Sequence, residues 1–297
     1  MTLPLPRPVT EGSRLGIVAP AGPFDEEAFR KGVDWLRTRY EVVHRPDIFT
    51  KEGYFAGTDE RRREELIDAI ADPGIDAILC ARGGFGSTRL LPGLDVATIE
   101  EANKLIVGFS DITALHTLWS QAGVRSVHAP MVAALGSASE PIREKWVAAV
   151  EKPDSPCEWN LTLLSRPENA EPVEGEFFGG NLAVLGALNG TPFAPELDGK
   201  ILFLEDVGER PYRVDRMLTT LAQSGWWKRV EAIVLGSFTE GEPGTDGISI
   251  EDVFANHFAE ISIPVLAGLE AGHIRENEPL RFGAPACIHG NKLTLNP

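Results

Sequence analysis

The stretch KLIVGFSDITALHTLW, Lys104 to Trp119, decides how the first half of the chain folds. Its apolar run, 105–109, predicts a buried strand, and the spacing of apolar residues after it predicts an amphipathic helix. Ser110 stands at the junction. A serine there is either the N-cap of the helix or a nucleophile exposed at the turn. The nucleophile motif G-x-S-x-G is incomplete, because Ile112 replaces the second glycine, so both interpretations remain open.

Strand and helix patterns alternate through the first half of the chain. Short apolar runs predict strands in RLGIVAPAG, EVVHRP and DAILCARGG, and helical spacing predicts helices in DEEAFRKGVDWLRTRY and TDERRREELIDAIADPG. Such units are typical of an α/β domain with a parallel sheet and right-handed crossovers. The loops APAG, RGGFG and GFSD each follow a strand. We therefore expect them at the carboxyl edge of the sheet, where ligands bind in such folds.

The composition changes after the first half. We predict a first domain over 1–150, a linker over 151–172 that is rich in proline and polar residues, and a second domain over 173–297. In the second domain, KILFLEDV and EAIVLGSF predict strands on either side of the helix YRVDRMLTTLAQSG. Asn181 is expected to cap a short helix, LAVLGALNG.

Charge and composition exclude several classes of partner. The 297 residues carry a net charge of -16, with 43% hydrophobic and 24% charged residues, as in ordinary soluble globular proteins. Nucleic acids and anionic membranes need a clustered basic surface, so neither partner is expected. No stretch approaches the roughly 18 apolar residues of a membrane span. The N-terminus lacks a signal-peptide pattern, so we expect a cytoplasmic protein.

The cysteine pattern favours a reducing compartment. Cys80, Cys157 and Cys287 are far apart and lack C-x-x-C spacing. Cys80, in the apolar run DAILCA, is expected to be a buried structural thiol. No paired Cys/His spacing or H-E-x-x-H motif occurs. We therefore predict no metal site and no cofactor.

The glycine loop ARGGFGSTRLL, 81–91, is the second candidate for chemistry. It is neither a P-loop nor a G-x-G-x-x-G motif. It is either a plain tight turn or a place where backbone amides approach a ligand closely and stabilise an oxyanion.

A serine nucleophile would need a base and a carboxylate that orients the base. Among the histidines, His128 ends a predicted strand, and His273 lies in a polar loop bounded by glycine. Glu205 and Asp206 end a hydrophobic strand and are the carboxylate candidates. These residue types alone leave the assignment open.

Seven stretches, in chain order and spanning nearly the whole sequence, together resemble the LD-carboxypeptidase family of serine peptidases. They are IVAPAG (17–22), YFAGTDERR (54–62), ARGGFGSTRLL (81–91), VGFSDITALH (107–116), GGNLAVL (179–185), LFLEDVGERPYRVDRML (202–218) and GLEAGH (268–273). This sequence departs from the family pattern at Phe85, where the family commonly has a tyrosine. The stretch IRENEPLRFG after His273 is more charged than the family pattern leads us to expect, which points to an altered substrate choice.

This resemblance implies a catalytic triad with Ser110 as nucleophile, His273 as base and Glu205 as the orienting carboxylate. It implies oxyanion donors in the backbone amides of Gly84 and Asp111. The implied fold is a Rossmann-like N-terminal domain and a C-terminal domain built on a small β-barrel, in a homodimer. The implied substrate is a cytosolic murein tetrapeptide, cut before its terminal D-Ala.

A carboxypeptidase must hold the terminal carboxylate of its substrate, and arginine suits that task. Several arginines lie near the proposed site in the sequence, and Arg82 and Arg213 are our candidates among Arg82, Arg210, Arg213 and Arg275.

Two alternatives remain. A branch that resembles the same family cleaves microcin C-type aminoacyl nucleotides, and it would need an aromatic shelf for the base; Trp226 and Trp227 could supply one, although a hydrophobic interface is the simpler role. The other alternative is a non-catalytic α/β ligand-binding protein.

Overall fold

The computed structural model describes residues 3–165 and 172–296. The strands in these ranges are β1 (Arg14–Val18), β2 (Glu41–His44), β3 (Ala77–Cys80), β4 (Leu105–Gly108), β5 (Ser126–His128), β6 (Cys157–Asn160), β7 (Thr162–Ser165), β8 (Val173–Asn181), β9 (Lys200–Val207), β10 (Ala232–Thr239), β11 (Val265–Ala267), β12 (Leu280–Phe282), β13 (Pro285–His289) and β14 (Lys292–Leu295). The helices are α1 (Glu26–Leu36), α2 (Asp59–Ala71), α3 (Val96–Ala102), α4 (Thr113–Gln121), α5 (Val132–Leu135), α6 (Glu140–Glu151), α7 (Leu182–Leu188), α8 (Pro211–Gln223) and α9 (Ile250–His257).

The chain divides into two compact units. The first unit contains Leu3–Pro153 and Glu278–Phe282, and the second contains the residues from Asp154 to Asn277 and from Gly283 onward.

A six-stranded sheet forms the centre of the first unit, in the order β12-β5-β4-β3-β1-β2. Strands β1 to β5 pair in parallel, and β12 pairs antiparallel with β5. The predicted parallel sheet is confirmed. Since parallel strands end at the same edge, the loops after β1, β3 and β4 meet there, and the chain reverses its strand order between β1 and β3.

Helix α1 shows why the sequence folds this way locally. Asp25 caps it by accepting a hydrogen bond from the amide of Ala28. The residues at helical spacing, Phe29, Val33 and Leu36, are buried in the core of the first unit. That core continues into the alternating buried side chains of the sheet, so one apolar face of the helix covers the strands.

The second unit is built on an eight-stranded sheet, in the order β6-β14-β13-β8-β9-β10-β11-β7. The outermost strands, β6 and β7, are consecutive in the chain and are separated only by Leu161. Because the two ends of the sheet lie one residue apart along the chain, the sheet must curl round on itself. The predicted small β-barrel of this part of the chain is confirmed in this nearly closed form.

The predicted linker over 151–172 is wrong for the part that the structure describes. Strands β6 and β7 lie within it, and residues 166–171 of the range fall outside the described residues. These strands are only four residues long each, and their partners, β14 and β11, come much later in the chain. The polar residues of β6 alternate with half-buried ones, so the sequence pattern there resembles a loop.

The second predicted domain also differs at its end. Residues Glu278–Phe282 belong to the first unit, because β12 pairs with β5 through Leu280 opposite His128 and Phe282 opposite Ser126. Within the described residues no helix is long and apolar enough to cross a membrane.

Candidate active site

Ser110 occupies a strained position at the end of β4. Its φ angle is +65°, in the left-handed region that residues with a side chain rarely adopt. It begins a short 3-10 turn, Ser110–Ile112, that leads directly into α4. Strain of this kind costs about 1–3 kcal/mol and is concentrated at functional sites. The turn therefore has the geometry of a nucleophile elbow without the second glycine of the motif.

The N-cap interpretation of Ser110 is wrong. The N-cap of the 3-10 turn is Phe109 and that of α4 is Ile112. Among the described residues, no side chain caps the 3-10 turn or α4 by accepting a hydrogen bond from its first amides.

The glycine loop after β3 lies directly against Ser110. A Cβ atom placed on Gly83 would lie 2.9 Å from Cβ and 3.1 Å from Oγ of Ser110. Any side chain at Gly83 would therefore press on the serine. The carbonyl of Gly83 also accepts a hydrogen bond from the amide of Gly22, 3.0 Å away, so the loops after β1 and β3 are joined.

The side chain of Asp111 fixes the far end of the glycine loop. Its Oδ2 accepts a hydrogen bond from the backbone amide of Ser87 over 2.7 Å. Asp111 is 3% exposed, and burial raises the pKa of its carboxyl group. This contact ties the GFSD turn to the glycine loop, and no local sequence pattern reveals it, since the two residues are 24 positions apart.

His116 joins the end of β4 to β5 through two hydrogen bonds. Its Nε2 lies 2.9 Å from the carbonyl oxygen of Gly108, and its Nδ1 lies 2.8 Å from Oγ of Ser126. Since a carbonyl can only accept, Nε2 carries the proton and Nδ1 accepts from the hydroxyl. Complete burial lowers the pKa of His116 to about 4. His116 is therefore a neutral packing residue within α4.

The second unit brings together the other two residues of the implied triad. Nδ1 of His273 lies 2.7 Å from Oε2 of Glu205. Glu205 is fully buried on β9, and the side chain of His273 is 20% exposed. An ionised carboxylate accepts from Nδ1–H, so the lone pair of the neutral imidazole lies on Nε2.

Gly272 allows this close approach. Its φ is +123°, and a Cβ there would lie 2.7 Å from Oε2 of Glu205. Its amide donates to Oδ1 of the buried Asn277, 2.8 Å away. Asn277 lies in the charged stretch after the histidine. Sequence reasoning missed it because nothing in the local pattern distinguishes a buried asparagine from the exposed charges around it.

Asp206 points to the opposite face of β9 from Glu205, as alternation along a strand requires. It accepts hydrogen bonds from Nδ2 of Asn181 and from the amide of Ala183, each 2.9 Å away. Burial raises its pKa to about 6. Asn181 in turn caps α7 by accepting from Val184, as predicted. Glu205 thus pairs with His273, whereas Asp206 binds the first residues of α7.

The candidate arginines differ in their surroundings. The side chain of Arg82 is exposed and donates to the carbonyl of Pro23, and no ion pair to it is found among the described residues. Arg213 pairs with Glu209 over 3.1 Å, and Arg275 pairs weakly with Glu276 over 3.8 Å.

Arg210 lines a cavity of about 880 Å³ in the second unit, just beyond the end of β9. The other charged residues of that cavity are acidic: Asp215, Glu240, Glu242 and Asp246. A surface with this excess of negative charge is unsuited to holding a carboxylate.

The remaining candidates are structural. His128 is fully buried, with its ring 5.4 Å from that of Phe109 and 5.8 Å from that of Phe282. Trp226 is 3% exposed and donates to Asn189. Cys80 is buried, and burial raises its pKa, so it is a structural thiol as predicted. In the described part of the chain, no group of three or more His, Cys, Asp or Glu residues could hold a metal.

Comparisons with known proteins agree with this architecture. Sequence models of the LD-carboxypeptidase N-terminal and C-terminal domains match residues 15–129 and 174–288. The murein tetrapeptide carboxypeptidase of Pseudomonas aeruginosa is 33% identical over 94% of each chain. The crystal structure of muramoyltetrapeptide carboxypeptidase from Oxalobacter formigenes superposes with a TM-score of 0.84, at 31% identity, over 95% of this chain and 98% of that chain.

A third relative is the microcin C7 self-immunity protein of Escherichia coli, which is 26% identical over 96% of this chain and 92% of its own. The two domain matches and the relatives above 30% identity show a serine-type carboxypeptidase and not a non-catalytic ligand-binding protein. The chain belongs to the LD-carboxypeptidase family of serine-type carboxypeptidases.

Proposed function

We propose that this protein hydrolyses the L,D amide bond to the terminal D-Ala of murein tetrapeptides, through a triad of Ser110, His273 and Glu205. The observation that carries the proposal is the hydrogen bond between Nδ1 of His273 and the buried carboxylate of Glu205. The relative from Pseudomonas aeruginosa, a murein tetrapeptide carboxypeptidase, supports the substrate. The strained φ of Ser110 supports its role as nucleophile.

In the proposed reaction, Nε2 of His273 removes the proton of Ser110, and Oγ attacks the carbonyl carbon of the scissile amide. Glu205 holds the imidazole in the required tautomer and stabilises its protonated form. His273 then gives its proton to the departing D-Ala amine. Water, activated by the same histidine, attacks the acyl-enzyme and releases the shortened peptide.

The negative charge on the tetrahedral oxygen is stabilised by the backbone amides of Gly84 and Asp111. Their loops are held together by the bond from the Ser87 amide to the Asp111 carboxylate. Amides fixed in advance need not reorganise as charge develops, and removing one such donor typically costs about 100-fold or more in rate.

Arg82 is the preferred partner for the terminal carboxylate of the substrate. It lies in the glycine loop, one residue before Gly83, and it is exposed. Arg213 is the weaker candidate because its guanidinium already pairs with Glu209.

The proposed setting is the cytoplasm, with a role in peptidoglycan recycling and a homodimeric state. Cys80 and Cys287 are free thiols, which supports a reducing compartment. The family resemblance supports the dimer.

The test is the release of D-Ala from murein tetrapeptide by wild type and by Ser110→Ala, with a chelator present throughout. We expect release by wild type and a loss of at least about 1,000-fold in the variant. Equal release by both proteins would refute Ser110 as the nucleophile. No release by wild type would refute the substrate.

A second candidate substrate is a microcin C-type aminoacyl nucleotide, because the Escherichia coli self-immunity protein is also a relative. Of the two tryptophans considered as a shelf for the base, Trp226 is buried within its own unit, whereas Trp227 is half-buried and donates to Nε2 of His257. Cleavage of an aminoacyl sulfamoyl adenosine by wild type, without release of D-Ala from tetrapeptide, would favour this candidate.

A further inference from the structure

Three aromatic side chains, Tyr54, Phe55 and Phe85, lie together on the surface of the first unit and are called the aromatic platform below. The ring centroid of Tyr54 lies 4.4 Å from that of Phe55 and 6.1 Å from that of Phe85, and the last two lie 5.8 Å apart. Tyr54 is 64% exposed and Phe85 is 47% exposed. The platform therefore presents a contiguous apolar face to solvent.

Two arginines pack against the aromatic platform. The guanidinium groups of Arg62 and Arg89 lie 4.7 Å and 5.1 Å from the centroid of the Phe55 ring. Both arginines form ion pairs with Asp59, and Arg62 is fully buried. Cations stacked on an aromatic face hold the ring in place. An incidental exposed side chain would not need a support of this kind.

The platform is close to Ser110. Phe85 follows Gly83 by two residues, so their α carbons lie within about 7 Å of each other. Gly83 itself contacts Ser110, since a Cβ built on the glycine would lie 3.1 Å from Oγ. The platform can therefore reach the substrate side chains next to the scissile bond. It is too close to Ser110 to bind a group four residues further along an extended peptide, because that group would lie about 13 Å from the scissile bond.

We propose that the aromatic platform binds the methylene stem of the diamino acid on the acyl side of the scissile bond, so that Tyr54 and Phe85 determine specificity. This inference rests on the proposed function. The terminal D-Ala offers only one methyl group, which is too small to cover two rings. A long side chain with a charged end buries its stem against an apolar surface and leaves the end in water. The platform suits that chemistry.

The experiment measures kcat/KM for D-Ala release from tetrapeptides with lysine, ornithine or diaminobutyrate in the third position. These side chains share an ammonium end and differ by one methylene each. The diaminopimelate tetrapeptide is assayed beside them as the test of the proposed function. The proteins compared are wild type, Phe85→Ala, Phe85→Tyr and Tyr54→Ala. Leu5→Ala, which is also 47% exposed in the first unit, is the matched control.

We expect wild type, Phe85→Tyr and Leu5→Ala to lose about threefold in kcat/KM for each methylene removed. In Phe85→Ala and Tyr54→Ala the three substrates should differ by less than about twofold. A platform that only shapes the loop would lower all three values equally and keep their ratios, which would overturn the inference. Cleavage of the diaminopimelate peptide alone would also overturn it, because the far end of the side chain would then be recognised instead of the stem. Absence of release from every peptide would refute the proposed function itself.

Discussion

Nδ1 of His273 and Oε2 of Glu205 lie 2.7 Å apart, and the glutamate is fully buried on its strand. A buried carboxylate in this position fixes both the tautomer and the orientation of the ring. The pairing places the lone pair of the neutral imidazole on Nε2, the nitrogen that would act as the base.

Replacing Glu205 with glutamine should abolish most activity while the fold persists. Glutamine can donate to Nδ1 and so favour the wrong tautomer, and we expect kcat to fall by about 10⁴-fold with little change in KM. Steady-state D-Ala release measures both values. The control is Glu270→Gln, at an exposed acidic position of the same unit. A loss below tenfold in Glu205→Gln would contradict the assigned role.

Gly83→Ala should impair catalysis through a steric effect. The new methyl group would lie 2.9 Å from Cβ of Ser110, so the serine or the loop must move. A displacement of this size near the reacting atoms costs about 100-fold in kcat. Gly186→Ala is the matched control, because a Cβ there meets nothing within 4 Å. Full activity in Gly83→Ala, with a native circular dichroism spectrum, would show that the loop does not need to touch the serine.

The carboxylate of Asp111 should act by fixing the glycine loop and not through its charge. Asp111→Ala leaves the buried amide of Ser87 without its acceptor, which costs about 1–3 kcal/mol of stability. It should also lower kcat, because the amide of Gly84 is less well fixed. Asp111→Asn retains an oxygen acceptor and should recover most of both losses. Urea unfolding and D-Ala release report the two effects separately, and equal damage in both variants would argue against the loop-fixing role.

His116 should make stability depend on pH. Its pKa in the folded protein is about 4, below the ordinary 6.5, so unfolding takes up a proton between these values. Its contribution is complete above pH 6.5 and is lost as the pH falls to 4, by up to about 3 kcal/mol.

The measurement for His116 is the free energy of unfolding against pH for wild type and His116→Gln, which does not titrate. Asp206 acts in the opposite direction, since a carboxyl pKa raised to about 6 lowers stability as pH rises from 3.8 to 6. The difference between the two proteins cancels that contribution. A difference that does not change with pH would show that His116 does not titrate on unfolding.

Local patterns predicted the strong elements. The apolar run KILFLEDV became β9 at the predicted bounds, and the spacing in DEEAFRKGVDWLRTRY became α1. The order of the motifs gave the family, and with it the pairing of His273 with Glu205.

Three features could not be predicted from local patterns. Strand β12 is three residues long and pairs with β5, so only tertiary contacts define it. The left-handed φ of Ser110 is imposed by the surrounding turn against its own preference. Asn277 is buried and accepts a hydrogen bond from the amide of Gly272, and no periodicity in the sequence indicates that contact.

The central claim is that Ser110, in the first unit, and His273, in the second, act as one catalytic group. The most direct measurement is a double-mutant cycle on kcat for D-Ala release, with Ser110→Ala, His273→Ala and the double variant. Residues that act together lose their whole effect when either is removed. We therefore predict that the double variant is about as slow as each single variant. Losses that multiply in the double variant would show that the two residues act independently and would contradict the triad.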